Sequence, residues 1–335
     1  MVSQLLSEQL KESANQVNAL LNKIVGVELE PSFLYQASRH LIDAGGKRAR
    51  PFLTLKSCEL VGGSLEDALP VAAAIELLHT FTLIHDDIMD SDLKRRGIPS
   101  VHVKWGVPLA ITVGDLLFAK VYESVLQYTK SNQLEPVKIL EAIDLITQTT
   151  ITICEGQALD VMFENMKAIS EDEYLKMIGK KTASLLKTSA QAGAIVGGGS
   201  ESQIKSIGDF AFYTGLAFQI VDDILGLTAD EKDLGKPVGS DIREGKRTLI
   251  IIHALKNSNN DQKNQILATL GNSDASSKKI KATIEAIKRT RSIEYSMNKA
   301  RSLSIKAKKR LSTFPDSQVK DLLLEFNDYL VKRKR

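Results

Sequence analysis

The chain has 335 residues, 43% hydrophobic, 25% charged and 5% aromatic, the balance of a soluble globular protein able to bury a sizeable core rather than of a disordered or fibrous chain. Its 44 lysines and arginines against 41 acids leave a net charge of +3, too little in total to argue for nucleic acid or a membrane surface. Any functional charge must be local. Two cysteines, Cys58 and Cys154, are too few for a disulfide framework and lack metal-ligand spacing, so two free thiols in a reducing compartment are expected.

In chain order, the first segment, MVSQLLSEQLKESANQV, is broken by polar and acidic residues and offers neither a signal-peptide stretch nor a membrane span, which predicts a cytoplasmic protein. Next comes a glycine-led basic stretch, Gly45 to Pro51. Leu69 to Asp90 reads as one long, mostly buried helix, and Ile207 to Leu227 as a second, both apolar nearly all round. Thr149 to Cys154 alternates like a strand but lies inside a longer helical pattern and is read as helix. Breaks are predicted near Ser131 to Pro136, at Gly197 to Ser200, at Asn257 to Asn264 and at Gly271 to Lys279, where small or polar residues cluster. All are loop-length, so residues 1–335 are expected to form a single all-α domain, an orthogonal helical bundle. The terminal Lys332, Arg333, Lys334 and Arg335 could touch an anionic partner, but a solvated helix end favoured by the helix dipole is the preferred reading.

The two long helices end alike: LIHDDIMD at Leu83 to Asp90 and QIVDDILG at Gln219 to Gly226. On a helix Asp86 and Asp90 are one turn apart and Asp87 and Asp90 three residues apart, so three carboxylates are expected to converge. Like charges at the C-terminal end of a greasy helix are destabilising unless a cation compensates them. Oxygen-only ligands favour magnesium, which shares its shell with water and phosphate oxygens, over zinc. The second pair, Asp222 and Asp223, makes a merely frayed acidic helix end a poor explanation and suggests two helix ends facing one cavity.

Basic groups occur at Lys47, Arg48 and Arg50, at Arg95 and Arg96, at Lys181, at Lys236, and at Lys246 with Arg247. Lysine and arginine both bind phosphate, although singly each is an ordinary solvated charge. The Gly-Lys pairs at Gly46, Gly235 and Gly245 lack the upstream glycine and following Ser or Thr of a phosphate-binding loop. A diphosphate would have to be held by metal and side chains.

Taken in order, GGKRARP (Gly45 to Pro51), DDIMDSDLKRRG (Asp86 to Gly97), EGQALD (Glu155 to Asp160), the KT of Lys181 and FQIVDD from Phe218 resemble the trans-isoprenyl diphosphate synthases over nearly the whole chain. The continuation from Gly226 to Thr248 is similar to the archaeal geranylgeranyl branch. The resemblance implies the class I isoprenoid synthase fold, all-α around a central cavity. It also implies a chain-elongating prenyltransferase, which condenses isopentenyl diphosphate with dimethylallyl, geranyl or farnesyl diphosphate to give geranylgeranyl diphosphate. Asp86 and Asp90, with Asp87 supporting, would bind Mg²⁺ on the allylic diphosphate, and Asp222 and Asp223 would complete a cluster of three ions. Lys47, Arg50, His79 and Arg96 would hold isopentenyl diphosphate; Arg95, Lys181, Thr182, Gln219, Lys236 and Lys246 would contact the allylic partner. Phe81, five residues before Asp86, would be the floor that limits product length. A homodimer with no nucleic-acid partner and no stable membrane insertion is implied.

One departure is visible: Gly226 stands where the family's second motif usually has a third aspartate, which leaves the third metal's ligands open. A farnesyl or longer-chain synthase is the nearest alternative. A class I terpene cyclase would not need GGKRARP and His79, and a non-catalytic partner subunit would typically lack the aspartates or paired arginines that this sequence keeps.

Overall fold

The computed structural model describes residues 3–129, 135–164, 166–228 and 238–332. It is helical almost throughout, and its chain divides into two compact units. Unit 1 comprises Met1–Thr150, Leu185–Ala211 and Arg310–Phe326; unit 2 comprises Ile151–Ser184, Phe212–Lys309 and Asn327–Arg335.

Unit 1 opens with α1 (Gln4–Ile24), whose Leu6, Val17, Leu20, Leu21 and Ile24 form a buried stripe. Ser3 caps it, its Oγ accepting from the Leu6 amide at 3.0 Å. There follow α2 (Ser32–Asp43), α3 (Ala49–Leu60) and α4 (Leu65–Met89). The last is the first of the two expected apolar helices. It starts four residues earlier than predicted because Ser64 caps it and Glu66 and Asp67 suit its positive N-terminal end.

After α4 the chain makes a hairpin, β1 (Lys94–Arg95) against β2 (Ile98–Pro99), with Arg95 paired to Ile98. Its two turn residues, Arg96 and Gly97, both have positive φ, 54° and 79°, as a type I′ turn requires. Then come α5 (Val101–Trp105), α6 (Val107–Thr129) and α7 (Pro136–Glu164). Thr149 to Cys154 lie within α7, as expected for helix. Helix α6 packs on α4, where Ser124 Oγ donates to the Pro70 carbonyl at 3.0 Å. A Cβ on Gly114 would lie 2.1 Å from His85 Nε2.

Unit 2 holds α8 (Glu171–Ile178), whose helical path widens into a π segment (Gly179–Ala183) before α9 (Ser184–Val196). It also holds most of α10 (Glu201–Thr228), the second apolar helix, again longer at its start than predicted. The rest is α11 (Ser240–Glu244), α12 (Leu249–Asn257), α13 (Asn260–Thr269), α14 (Ser277–Arg289) and α15 (Ser292–Arg310). The rest of α9 after Ser184, the 3₁₀ turn (Leu311–Thr313) and α16 (Gln318–Lys332) as far as Phe326 belong to unit 1. The core of unit 2 gathers Tyr174, Ile220, Val221, Ile224, Ile250, Ile284 and Ile287.

Two predicted breaks are shorter than expected. Asn259 and Gln262 form a reciprocal capping box that restarts helix at Asn260, and Ser276 caps α14, so most of Asn257 to Asn264 and the end of Gly271 to Lys279 are helical. The break at Gly197 to Ser200 is a loop, while Ser131 to Leu134 and Arg333 to Arg335 lie outside the described residues. Cys58 is buried and Cys154 exposed, both as free thiols. Among the described residues, α4 and α10 are long and apolar enough to cross a bilayer, but 67% and 56% of their apolar windows are buried in the protein.

Candidate active site: two acidic helix segments and their cations

In unit 1 the DDIMD carboxylates do not all share one face. Asp86 and Asp90, one turn apart, are half-buried, whereas Asp87 is fully buried. Successive helical residues point about 100° apart, so the expected convergence of three carboxylates is corrected to two plus one. Asp87 Oδ1 accepts from Arg95 Nε at 2.7 Å and from Arg95 Nη2, and Arg95 also donates to Asp92 at 3.1 Å. Burial pushes the Asp87 carboxyl up to about 6 against the pull of Arg95, and its Oδ2 is buried without a hydrogen bond.

Arg96, in its left-handed turn position, donates through Nη1 to the carbonyls of Leu41, at 2.7 Å, and Gly45. A Cβ on Gly46 would come within 3.0 Å of this guanidinium. The hairpin is thereby pinned to the GGKRARP loop, where Lys47 is exposed. Beneath them is a buried ion pair whose acid, Glu76, the motif spacing did not mark. Arg48, also left-handed at φ 44°, is buried and donates to Glu76 Oε1 at 2.6 Å, to the Ile42 carbonyl at 2.7 Å and to Asn18 Oδ1 at 2.9 Å. Glu76 lies on α4, 2% exposed, with Arg96 3.9 Å away.

One turn further along α4, His79 Nε2 accepts from Arg50 Nη1 at 2.9 Å. Burial and the surrounding arginines hold His79 well below the ordinary histidine range, so the ring is neutral with its proton on Nδ1. Glu76 therefore lies among three arginines, and the group keeps a surplus of positive charge suited to an anion. Phe81 is half-buried, 4.9 Å from the His85 ring and 5.3 Å from Phe118 of α6, which in turn lies 5.3 Å from Tyr122.

In unit 2 the same inside-outside split recurs on α10. Asp222 is exposed and Asp223 buried. Asp223 accepts from Tyr174 Oη at 2.6 Å and from Gln219 Nε2 at 2.8 Å; Gln219 Oε1 accepts from Thr182 Oγ1 at 2.9 Å. Burial and the Asp241 charge push Asp223 up to about 8. Thr182 and Lys181 lie on the π segment, an irregularity common at functional positions.

The EGQALD motif explains that placement. Gly156 allows the π segment to approach so closely that a Cβ there would be 2.3 Å from the Lys181 amide nitrogen. Asp160 then receives Lys181 Nζ at 2.6 Å. Lys246 Nζ is 2.9 Å from Glu244 Oε2. Lys236 lies outside the described residues. At Gly226 a Cβ would be 3.0 Å from Asp241 Oδ2, so α11 brings a carboxylate into the space that the missing third aspartate would have filled.

Glu76, Arg48, Tyr174, Asp160 and Asp241 were not singled out as site residues by the sequence. Two signals were available: a lone glutamate inside AAAIELL, and a motif aspartate with no assigned partner. Among the described residues no three His, Cys, Asp or Glu groups stand close enough to hold an ion unaided. The half-buried Asp86 and Asp90 and the exposed Asp222 nonetheless fit Mg²⁺, which takes one or two protein carboxylates and completes its shell with water and phosphate oxygens. The orphaned buried oxygen of Asp87 fits a neighbouring cation.

The polyprenyl synthetase family matches residues 31–287. A short chain isoprenyl diphosphate synthase of Methanothermobacter thermautotrophicus is 43% identical over 332 residues, 99% of this chain and 96% of that protein. A geranylgeranyl diphosphate synthase of Sulfolobus acidocaldarius is 47% identical over 289 residues, 86% of each. Among solved structures, geranylgeranyl pyrophosphate synthetase from Pyrococcus horikoshii superposes with a TM-score of 0.92 at 40% identity, covering 99% of both chains.

Proposed function

Since the chain belongs to the polyprenyl synthetase family and has its all-α class I isoprenoid synthase fold, we propose that it is a geranylgeranyl diphosphate synthase. In this reading it condenses isopentenyl diphosphate with allylic diphosphates. The observation that carries the proposal is the repeated split of each aspartate pair. Asp86 is half-buried and Asp222 exposed, while Asp87 and Asp223 are buried and held by Arg95 and by Tyr174 with Gln219. Such bracing fixes the outer carboxylates in place before any ligand arrives.

Asp86, Asp90 and Asp222 would hold Mg²⁺, three ions with substrate bound, and the metal would supply Lewis-acid stabilisation of the departing diphosphate. Asp241 offers a further carboxylate where Gly226 leaves space. Arg95, Lys181 and Lys246, with Lys236, Thr182 and Gln219, bind the allylic diphosphate, and their positive charges stabilise what accumulates as its C–O bond breaks. Lys47, Arg50, Arg96 and neutral His79 hold isopentenyl diphosphate. Its double bond forms the new C–C bond, and a proton leaves to the released diphosphate. Apolar walls exclude water that would quench the cation, and Phe81, backed by Phe118, limits product length. We further propose that residues 1–335 work as one catalytic domain, in a homodimer in the cytoplasm.

The deciding experiment is product chromatography with isopentenyl diphosphate, Mg²⁺ and each of dimethylallyl, geranyl and farnesyl diphosphate. A C20 product from all three starters is expected, lost in EDTA and restored by Mg²⁺. A cyclic hydrocarbon, or full turnover in metal-free buffer, would overturn the reading.

A further inference from the structure

The near-neutral total charge conceals a strong local imbalance. Residues 277–309 carry eleven lysines and arginines against two glutamates, a net +9, so the remainder of the +3 chain is net −6. All of this segment belongs to unit 2. The basic residues lie on the solvent side of α14 and α15: Lys278, Lys281 and Arg289 on the first, and Arg301, Lys306 and Lys309 on the second, are exposed, while Ile284, Ile287, Ala300 and Leu303 face inward. Some of these charges are neutralised within the unit. Lys299 pairs with Glu171 and Lys308 with Asp328, both at 2.5 Å, and Lys288 pairs with Glu285 at 2.7 Å.

On α14 the exposed row Lys281, Glu285 and Arg289 mixes signs as a solvated face does, but from Arg301 to Lys309 α15 carries no acid at all. On α15, moreover, Ile305 is 58% exposed with Arg301 and Lys309 one turn to either side. An apolar side chain between cations on the polar face of a surface helix is the composition of an interfacial helix, which lays apolar groups at the headgroup boundary and cations on the phosphates.

We propose that the outer faces of α14 and α15 dock this protein peripherally on an anionic lipid bilayer. Charge complementarity selects that occupant. A second copy of the chain is disfavoured, because a two-fold interface would set the same positive face against itself. Single-stranded nucleic acid is disfavoured because the one aromatic ring on α15, Tyr295, is stacked on His253 with centroids 4.1 Å apart and donates to Glu171 at 2.6 Å. It is not offered as a stacking platform for bases. The inference draws support from the proposed activity, since a C20 diphosphate is an amphiphile best released at a bilayer, but the surface stands on its own residues.

The test is co-sedimentation of the full chain with phosphatidylcholine vesicles, with and without phosphatidylglycerol, at low and high salt. Binding is expected only to the anionic vesicles and only at low salt. Each basic residue near such a surface contributes about fivefold, so the triple variant Lys281→Glu, Arg301→Glu, Lys306→Glu should weaken binding by at least about 100-fold. Ile305→Ser should weaken it at unchanged charge. Both variants should keep wild-type turnover in a vesicle-free assay, which shows that they fold. No binding to anionic vesicles, binding indifferent to lipid charge or to the triple variant, or tighter binding to an RNA oligonucleotide than to vesicles would each overturn the proposal. A protein that bound vesicles but made no C20 product would instead refute the enzymatic reading and leave the surface intact.

Discussion

Glu76 and Arg48 form an ion pair of 2.6 Å whose side chains are 3% and 1% exposed. Arg48 was read only as one of several basic groups that could bind phosphate and Glu76 not at all, yet Glu76 lies where Arg48, Arg50 and Arg96 gather. Removing one member of a buried pair strands the other, at about 3 to 5 kcal/mol. Glu76→Ala should therefore lower the free energy of unfolding, measured by urea denaturation, by that amount. Glu76→Gln, which keeps an acceptor but not the charge, should fold better and raise the KM for isopentenyl diphosphate more than that for the allylic substrate. Equal KM changes for both substrates would reduce the pair to a purely structural role.

His79 sets a pH dependence. Its folded value lies well below the ordinary 6.5, so as pH falls through about 6.5 the unfolded chain takes up a proton that the native ring refuses. Stability from this group is complete above 6.5 and declines below it, by at most about 1.4 kcal/mol per pH unit. Asp87 and Asp223, raised to about 6 and about 8, act in the opposite sense, so the effect of His79 is isolated by difference. Between pH 7.5 and about 5 the urea midpoint of wild type should drop relative to that of His79→Gln as the pH falls. Parallel curves would show that the ring is protonated in the native state.

Phe81→Ala tests the floor. The ring is half-buried against His85 and Phe118, so the stability loss should stay below the ~3 to 5 kcal/mol of a fully buried phenylalanine. Products longer than C20 should appear by chromatography. A folded, active variant with an unchanged longest product would remove Phe81 as the limit and shift attention to Phe118 and Tyr122.

Gly156→Ala tests the close approach of α7 to the π segment. Its Cβ would lie 2.3 Å from the Lys181 nitrogen and 2.7 Å from the Lys180 carbonyl carbon, backbone atoms that cannot swing aside. The variant should lose turnover through displacement of Lys181 and Thr182, with a destabilisation of about 1 to 3 kcal/mol. Near-normal activity would show that the π segment relaxes without cost.

What the sequence revealed, and what it hid, follows from the reach of each signal. All-round apolarity located α4 and α10, and the motifs located the aspartates and most of their cations. Helix starts were missed because capping by Ser64 or by Asn259 with Gln262 acts over three residues, beneath the period of an apolar pattern. The inward turn of Asp87 and Asp223 is set by Arg95 and Tyr174, residues 8 and 49 positions away, so adjacency alone suggested convergence where the helix divides the pair. The π segment left no compositional trace in GKKTA. The charge of α14 and α15 was plainly written but averaged away in the total.

Unit 1 is assembled from three separated stretches of chain, the last being Arg310–Phe326. Within it Glu325 accepts from the Ser3 amide at 2.5 Å and from its hydroxyl at 2.6 Å, while Phe326 lies against Phe52 with ring centroids 5.0 Å apart. During vectorial synthesis α1 to α6 leave the ribosome early, yet the groups that tie down Ser3 and Phe52 emerge only after the whole of residues 212–309. The first-made helices can pack on one another early, but Ser3 lacks its acceptor and Phe52 its aromatic neighbour until nearly the end of translation. A nascent chain arrested before Glu325 should remain protease-sensitive across α1, and one arrested far enough beyond Phe326 to clear the exit tunnel should not.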